Sequence, residues 1–292
     1  MTETLRSYKT AERPDVAGSI GLVIESQGHR SGPTQTQNSG VFRLLQPLYL
    51  DDSGQVLYII VSYGGAYFSE KYAIDVTAQE GAHLLLSTQG ATRIHRTVSE
   101  PSVQEMVIRL GPGSRVEYIP DRTIAYKDSS YLQETEIWAD PTAQGFFGDI
   151  ITSGWDPENK RFTYSDLHLR TTVRPAADEG YVLIDNLRLR PARIGEAIED
   201  LGHLEGFSHM GSFLILGAHL DEAYADRVRE ITAAYDRARA GTTRGNRHGV
   251  SWLMVRALAN STKELNDMLL DINELDREIT GTGQSRLDLR RY

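Results

Sequence analysis

Cysteine is absent from all 292 residues, which excludes disulfides and thiolate metal sites and is compatible with a reducing compartment. Cationic residues are in the minority, 31 against 40 acidic ones, and the formal net charge is -9. That balance argues against a nucleic-acid binder, which carries a basic stripe. No stretch approaches the roughly 18 uncharged apolar residues of a membrane span, and residues 1–15 lack the apolar segment of a signal peptide. A cytoplasmic protein with neither nucleic-acid nor membrane partners is the expectation. Catalytic signatures are missing too: there is no P-loop, no HExxH and no Gly-x-Ser-x-Gly elbow. Apolar side chains are not scarce. At 40% of the chain they suffice for a sizeable core.

That apolar content is arranged mainly with period 2. Residues 1–15 read as a frayed start, and the Gly/Ser/Thr/Gln-rich stretch from Ser26 to Gly40 reads as a connecting loop. Residues 41–191 are short apolar runs punctuated by turn residues, the pattern of a β-rich core. Tyr72, Ile74 and Val76 share one face, as do Met106, Ile108 and Leu110 ahead of a Gly111-Pro112-Gly113 turn. Leu167, Leu169, Thr171 and Val173 do the same, and Leu183, Leu187 and Leu189 follow with Asp185 as a polar exception on their face. The run His83-Leu84-Leu85-Leu86 predicts a strand buried on both faces.

The period changes in residues 218–292. Leu220, Tyr224, Val228, Ile231 and Tyr235 recur at helical spacing. A Gly/Arg-rich segment from Gly241 to Arg247 reads as a loop, and Ser251 to Leu258 as a strand. Ser261 with Glu264 three residues later is a capping box. It opens a helix whose stripe is Leu265, Met268, Leu269, Ile272 and Leu275, with Gly281 as its stop. The fold class expected is mainly β, with two principal helices in the C-terminal third, and residues 1–292 are expected to form one unit.

Isolated chemistry-bearing residues are weak signals. Asp166 and His168, two apart on one strand face, suit either a metal or a solvated ion pair. His83 and His95 flank Ser87-Thr88-Gln89, where burial in a hydrogen-bonded turn is the preferred reading over ligation. Glu134 and Glu136 are a carboxylate pair of the sort a glycosidase requires, yet spacing along a strand cannot place them across a cleft.

Several collinear blocks resemble the urease accessory protein UreD/UreH family, particularly its Gram-positive branch. They are Gly64-Gly65-Ala66-Tyr67 followed by Tyr72-Ala73-Ile74-Asp75-Val76, and Ser87-Thr88-Gln89-Gly90-Ala91-Thr92-Arg93-Ile94-His95-Arg96. Val116 to Asp121 with Ile124 to Lys127, Asp149-Ile150-Ile151-Thr152-Ser153-Gly154-Trp155, Glu205 to Ser212, Arg256 to Thr262 and the closing Leu289-Arg290-Arg291-Tyr292 continue the series. The chain departs from the family pattern at Ser69-Glu70, where Gly-Asp is usual, and at Arg122 and Ser153, where proline is common.

The resemblance implies a β-helix-like or stacked-sheet scaffold that catalyses no covalent step and has no catalytic residues. It implies as partners UreF, through it the GTPase UreG, and the urease apoprotein, with nickel in transit and no tightly bound cofactor. A conduit requires weak, exchangeable ligands, and the absence of thiolates, which hold nickel tightly, suits one. On that reasoning Glu70, Thr88, Gln89 and Asp149 are the candidate lining of a nickel passage. The bland alternative is that Thr88 and Gln89 satisfy buried backbone groups and Asp149 caps a turn. Candidate partner-binding residues are Leu265, Met268, Leu269, Ile272, Leu289 and Tyr292, although the helical stripe is equally suited to ordinary core packing. Two rival functions stay open. A carbohydrate-active enzyme requires two facing acids in a groove, and a structural β interaction protein requires a long unprotected sheet edge.

Overall fold

The computed structural model describes residues 15–178, 180–194 and 198–283. The expectation of a frayed start therefore falls almost wholly outside the described residues. From about Val56 onward the chain winds in coils, and each coil lays one strand on each of two facing sheets.

Sheet A contains β1 (Gly18–Ser26), β2 (Ser31–Gly40), β6 (Lys71–Ala78), β9 (Ser102–Leu110), β12 (Ser130–Ala139), β14 (Asp166–Pro175) and β15 (Leu183–Leu189). Its order is β15-β14-β12-β9-β6-β1-β2, with parallel pairing from β1 through β14 and an antiparallel strand at each edge. Sheet B has at its centre β4 (Val56–Ser62), β7 (His83–Thr88), β10 (Arg115–Ile119) and β13 (Gln144–Ile151), all parallel. The short β3 (Phe42–Leu44) closes one end. β16 (His209–Leu216), β18 (Val250–Ala259) and β17 (Arg239–Arg247) extend the other end antiparallel. A flank of very short parallel strands, β5 (Ala66–Tyr67), β8 (Thr92–Ile94) and β11 (Thr123–Ala125), joins the two faces of each coil.

This is the stacked, solenoid-like arrangement that the resemblance implied. Successive coils also stack one ring each on the outside of the flank: Phe68 on His95 at 4.9 Å, His95 on Tyr126 at 4.7 Å and Tyr126 on Trp155 at 4.8 Å between centroids. Offset and tilted contacts of this kind add to the area they bury.

The apolar periodicities fall where period 2 puts them. Tyr72, Ile74, Val76, Met106, Ile108 and Leu110 all point into the core between the sheets. In β7, Leu84 and Leu86 join that core while Leu85 joins a second one on the outer face of sheet B, so this strand is buried on both sides as its composition predicts. Helices cover that outer face. A short turn α1 (Pro191–Ile194) precedes the two principal helices, α2 (Glu222–Ala233) and α3 (Thr262–Thr280). Ser261 caps α3 by accepting from the Glu264 N–H at 3.2 Å, and Gly281 ends it with φ 66°, a conformation that costs other residues about 1–2 kcal/mol.

Two segments read as loops are strands. Ser31–Gly40 pairs with β1, and Arg239–Arg247 pairs with β18. The physical reason is common to both. Each is an edge strand with most of its side chains in water, so neither requires the apolar alternation by which a strand is recognised. Among the described residues, no helix is long and apolar enough to cross a membrane.

Candidate functional site

Polar groups interrupt the core between the sheets, and strand register sets several of them side by side. Register aligns Tyr72 of β6 with Gln104 of β9, and Gln104 with Gln133 of β12, so three polar side chains stand side by side on the inner face of sheet A. Opposite them, register in sheet B sets Asp149 of β13 beside Ser212 of β16, and Ser212 beside Arg256 of β18. Period 2 explains why these polar residues point inward. Each shares parity with core neighbours on its own strand: Met106 for Gln104, Ile137 for Gln133, Phe147 and Ile151 for Asp149.

The inward groups are hydrogen-bonded in relay. The Tyr67 hydroxyl donates to Gln104 at 2.8 Å, and the Tyr131 hydroxyl donates to Gln133 at 3.2 Å. The Gln133 amide nitrogen lies 3.3 Å from both Asp149 oxygens. Tyr67 stacks on Tyr72 with centroids 4.1 Å apart. Burial pushes the Tyr67, Tyr118 and Tyr131 phenols well above their ordinary values, so they stay neutral donors.

Asp149 is the one carboxylate in this row. Desolvation by the surrounding protein pushes its pKa up to about 6, Asp185 adds to the rise, and the Gln133 amide and the Arg256 guanidinium oppose it. Part of its surface remains open to a water-sized sphere, but that surface faces an internal space. Asp185, the polar exception on β15, faces the same space from sheet A. Its carboxylate accepts from Arg256 at 2.5 Å, and Arg256 also donates to Ser212 at 2.5 Å.

Two spaces meet here. An outer cleft of about 540 Å³ is lined by Gly64, Gly65, Thr88, Gln89, Gln104 and Tyr118 among others. An inner cavity of about 30 Å³, room for one or two waters, is lined by Tyr118, Asp149, Asp185, Ser212 and Arg256, with Thr135, Thr171 and apolar side chains completing it. Tyr118 lines both. The rim of the cleft demands glycine at Gly65, where φ is 67° and a Cβ would come 2.4 Å from the Ala91 carbonyl oxygen.

The four candidate lining residues occupy three places. Thr88 and Gln89 are together at the mouth of the outer cleft, where the Thr88 hydroxyl also donates to the Gly90 carbonyl at 3.1 Å and accepts from the Asp121 N–H at 2.9 Å. Asp149 is in the inner cavity. Glu70 is exposed outside both spaces; the Tyr72 hydroxyl donates to it at 3.3 Å and is its link to the inner row. Among the described residues, no group of three or more His, Asp or Glu side chains converges to hold a metal ion.

Of the candidate partner-binding residues, Leu265, Met268, Leu269 and Ile272 are buried against the outer face of sheet B, and internal packing uses that stripe. Leu289 and Tyr292 lie outside the described residues. Glu134 and Glu136 face Arg170 at 3.9 Å and Arg174 at 2.6 Å rather than each other across a groove. Asp166 binds Arg188 at 2.5 Å, and His168 bonds to Asn186 at 2.7 Å.

Sequence reasoning missed a buried ionic cluster beneath α3. Glu117 accepts from Arg115 at 2.7 Å, Gln55 at 2.7 Å and Asn273 at 2.9 Å, and also from Arg277. Asp276 accepts from Arg115 at 2.7 Å and Tyr224 at 3.1 Å and bonds to His219 at 2.7 Å. Desolvation opposes ionisation of both acids, yet Arg115 and Arg277 outweigh it at Glu117, and Arg115 and His219 at Asp276, so both carboxyls are held below their ordinary range. The available signal was Asn273 and Asp276, which continue the i, i+3, i+4 stripe of α3 with polar residues.

Comparison with known proteins agrees with this architecture. The family profile described as UreD urease accessory protein matches residues 16–290. A urease accessory protein UreD of Arthrobacter sp. (strain FB24) is 38% identical, covering 94% of each chain. That of Actinomyces naeslundii is 39% identical over 94% of this chain and 98% of its own, and that of Bacillus sp. (strain TB-90) 31% over 80% and 83%. With a profile spanning nearly the whole sequence and relatives of matching length, the chain belongs to the UreD urease accessory protein family.

Proposed function

We propose that this protein is a non-catalytic scaffold of urease maturation in the cytoplasm, which binds UreF, through it UreG, and the urease apoprotein, and gives nickel a route into the apoenzyme. Family membership supports the maturation role. The observation that carries the route is the row of polar groups set into the core between the sheets, which leads to Asp149. A core built for stability alone gains from apolar residues at those positions, because an ionised acid there is costly. A row of amide, phenol and hydroxyl oxygens ending on one carboxylate suits a divalent cation in transit, since each donor holds it weakly and releases it.

In this reading nickel is cargo. Thr88 and Gln89 receive it at the cleft mouth, and Tyr118 borders both mouth and interior. Asp149 is the charged ligand within, and Glu70 is an outer acid that raises cation concentration near the surface. The test is nickel-dependent activation of apo-urease by UreF and UreG with this chain, without it, and with Asp149→Ala. The proposal expects activation to depend on the chain and to fall in the variant while complex formation persists. Full activation without the chain would sink it.

A further inference from the structure

β17 is the outermost strand of sheet B, and nine residues of it run along an open edge. The hairpin to β18 turns through His248 and Gly249, at φ 53° and 79°, with Arg247 paired to Val250. A two-residue turn of this kind makes Arg247 and Val250 the hydrogen-bonded pair, and pairing then alternates along the strand. The main chains of Arg239, Gly241, Thr243, Gly245 and Arg247 therefore bond to β18, while those of Ala240, Thr242, Arg244 and Asn246 point away from it. Among the described residues, nothing in the protein bonds to those outward groups. Beside them, a groove of about 490 Å³ separates the end of α2 from the strand, and its lining includes Arg229, Tyr235, Asp236, Ala240 and Thr242.

The edge is also where an acidic protein is basic. Between Asp236 and Glu264 there is no carboxylate side chain, whereas Arg237, Arg239, Arg244 and Arg247 lie on β17 or next to it. Acids elsewhere answer part of this charge: Glu205 approaches Arg239 at 3.5 Å, Glu222 bonds to Arg244 at 2.7 Å, and Asp178 lies 3.5 Å from His248. Arg237 and Arg247 have no acidic partner among the described residues.

We propose that β17 is a docking edge that takes an extended, acidic segment of another protein as an added strand of sheet B. An open edge offers main-chain bonds to any strand, and charge selects which one forms. A second copy of β17 is disfavoured, because antiparallel self-pairing sets Arg239 against Arg247 and like charges opposite one another repel. The chain's own C-terminal residues are disfavoured for the same reason, since Arg286, Arg290 and Arg291 outnumber Asp288. An acidic partner strand meets neither objection. This surface is separate from the interior cavities, so it stands or falls independently of the nickel route.

The test uses the full chain and an acetylated ten-residue peptide that alternates glutamate with threonine and valine. Binding is expected to slow amide exchange at Ala240, Thr242, Arg244 and Asn246 by about tenfold or more, and to weaken with salt. Thr242→Pro removes an outward N–H that β18 does not use, and should lower affinity about tenfold without loss of the folded state. Arg247→Glu, at the solvent-exposed end of the strand, should do the same and should transfer preference to a peptide with lysine in place of glutamate. Protection on another strand, affinity in either variant equal to that of the unaltered chain, equal binding of a ten-nucleotide oligothymidine, or no saturable binding up to millimolar peptide would each overturn the proposal.

Discussion

Glu117, in the middle of β10, is bonded to Arg277 of α3 across 160 positions of sequence, and both side chains are fully buried. The pair belongs to a cluster in which two guanidiniums, Arg115 and Arg277, face two carboxylates, Glu117 and Asp276. Such a cluster adds little net stability when whole, but loss of one member strands the others in a medium that cannot solvate them. Glu117→Ala is therefore expected to lower unfolding free energy by about 3–5 kcal/mol. Replacement of the whole set by apolar residues of similar volume should cost far less. Urea denaturation of both variants checks this; a Glu117→Ala loss below about 1 kcal/mol would show that the cluster is hydrated.

Asp149 should make the protein less stable as pH rises. Its folded pKa, about 6, lies above the ordinary 3.8, so the stabilising contribution of its proton is fully present below the ordinary value and is lost as pH rises through about 6. Asp149→Asn removes that loss. Compared with the variant, the native chain should be less stable by up to about 3 kcal/mol at pH 7, with the difference vanishing near pH 4. Denaturation midpoints of the two proteins across that range provide the measurement, and parallel curves would refute the assignment. On the proposed function, the more stable variant should also be the poorer activator of urease.

Arg256 acts on the same carboxylate from two strands away in sheet B. Its charge opposes the rise in the Asp149 pKa, and it bonds directly to Asp185. Arg256→Gln should move the Asp149 midpoint above 6. A carbon-detected carboxyl titration would see this directly, and an unchanged or lower midpoint would mean that the guanidinium is too well solvated to act there.

At the cleft mouth, Gly65→Ala combines a left-handed backbone with a Cβ 2.4 Å from a carbonyl oxygen. The expected cost is about 2 kcal/mol or more, or displacement of the Ala91 turn that follows Thr88 and Gln89. Thermal unfolding reports the first outcome. Amide shifts confined to residues 88–92 report the second.

Particular elements show where the sequence was legible. β7 announces itself because Leu84, Leu85 and Leu86 are apolar on both faces, and α3 because Ser261, the Leu265–Leu275 stripe and Gly281 agree with one another. β2 and β17 were illegible because an edge strand draws its stability from one neighbour's main chain, which leaves no trace in side-chain pattern. The site divides in the same way. Asp185 was visible as a polar break in an apolar face, but its meeting with Asp149 and Arg256 depends on how two sheets face each other, and no local spacing encodes that. Gln104 and Gln133 went unremarked because each is a single polar residue on its own strand; only the register of β9 with β12 makes them a row.

The coil-by-coil winding has a consequence for how the chain is made. From β4 onward, each parallel pair joins strands roughly 30 residues apart, so no coil completes its pairing until the next one leaves the ribosome. The outer face of sheet B waits longest, because α3 follows every described strand of that sheet in the chain. Arg115 and Glu117 lie on that face and bond to each other at 2.7 Å, but their other partners, Asp276 and Arg277, come about 160 residues later in the chain. The buried ionic cluster therefore cannot be completed until sheet B has its covering helix.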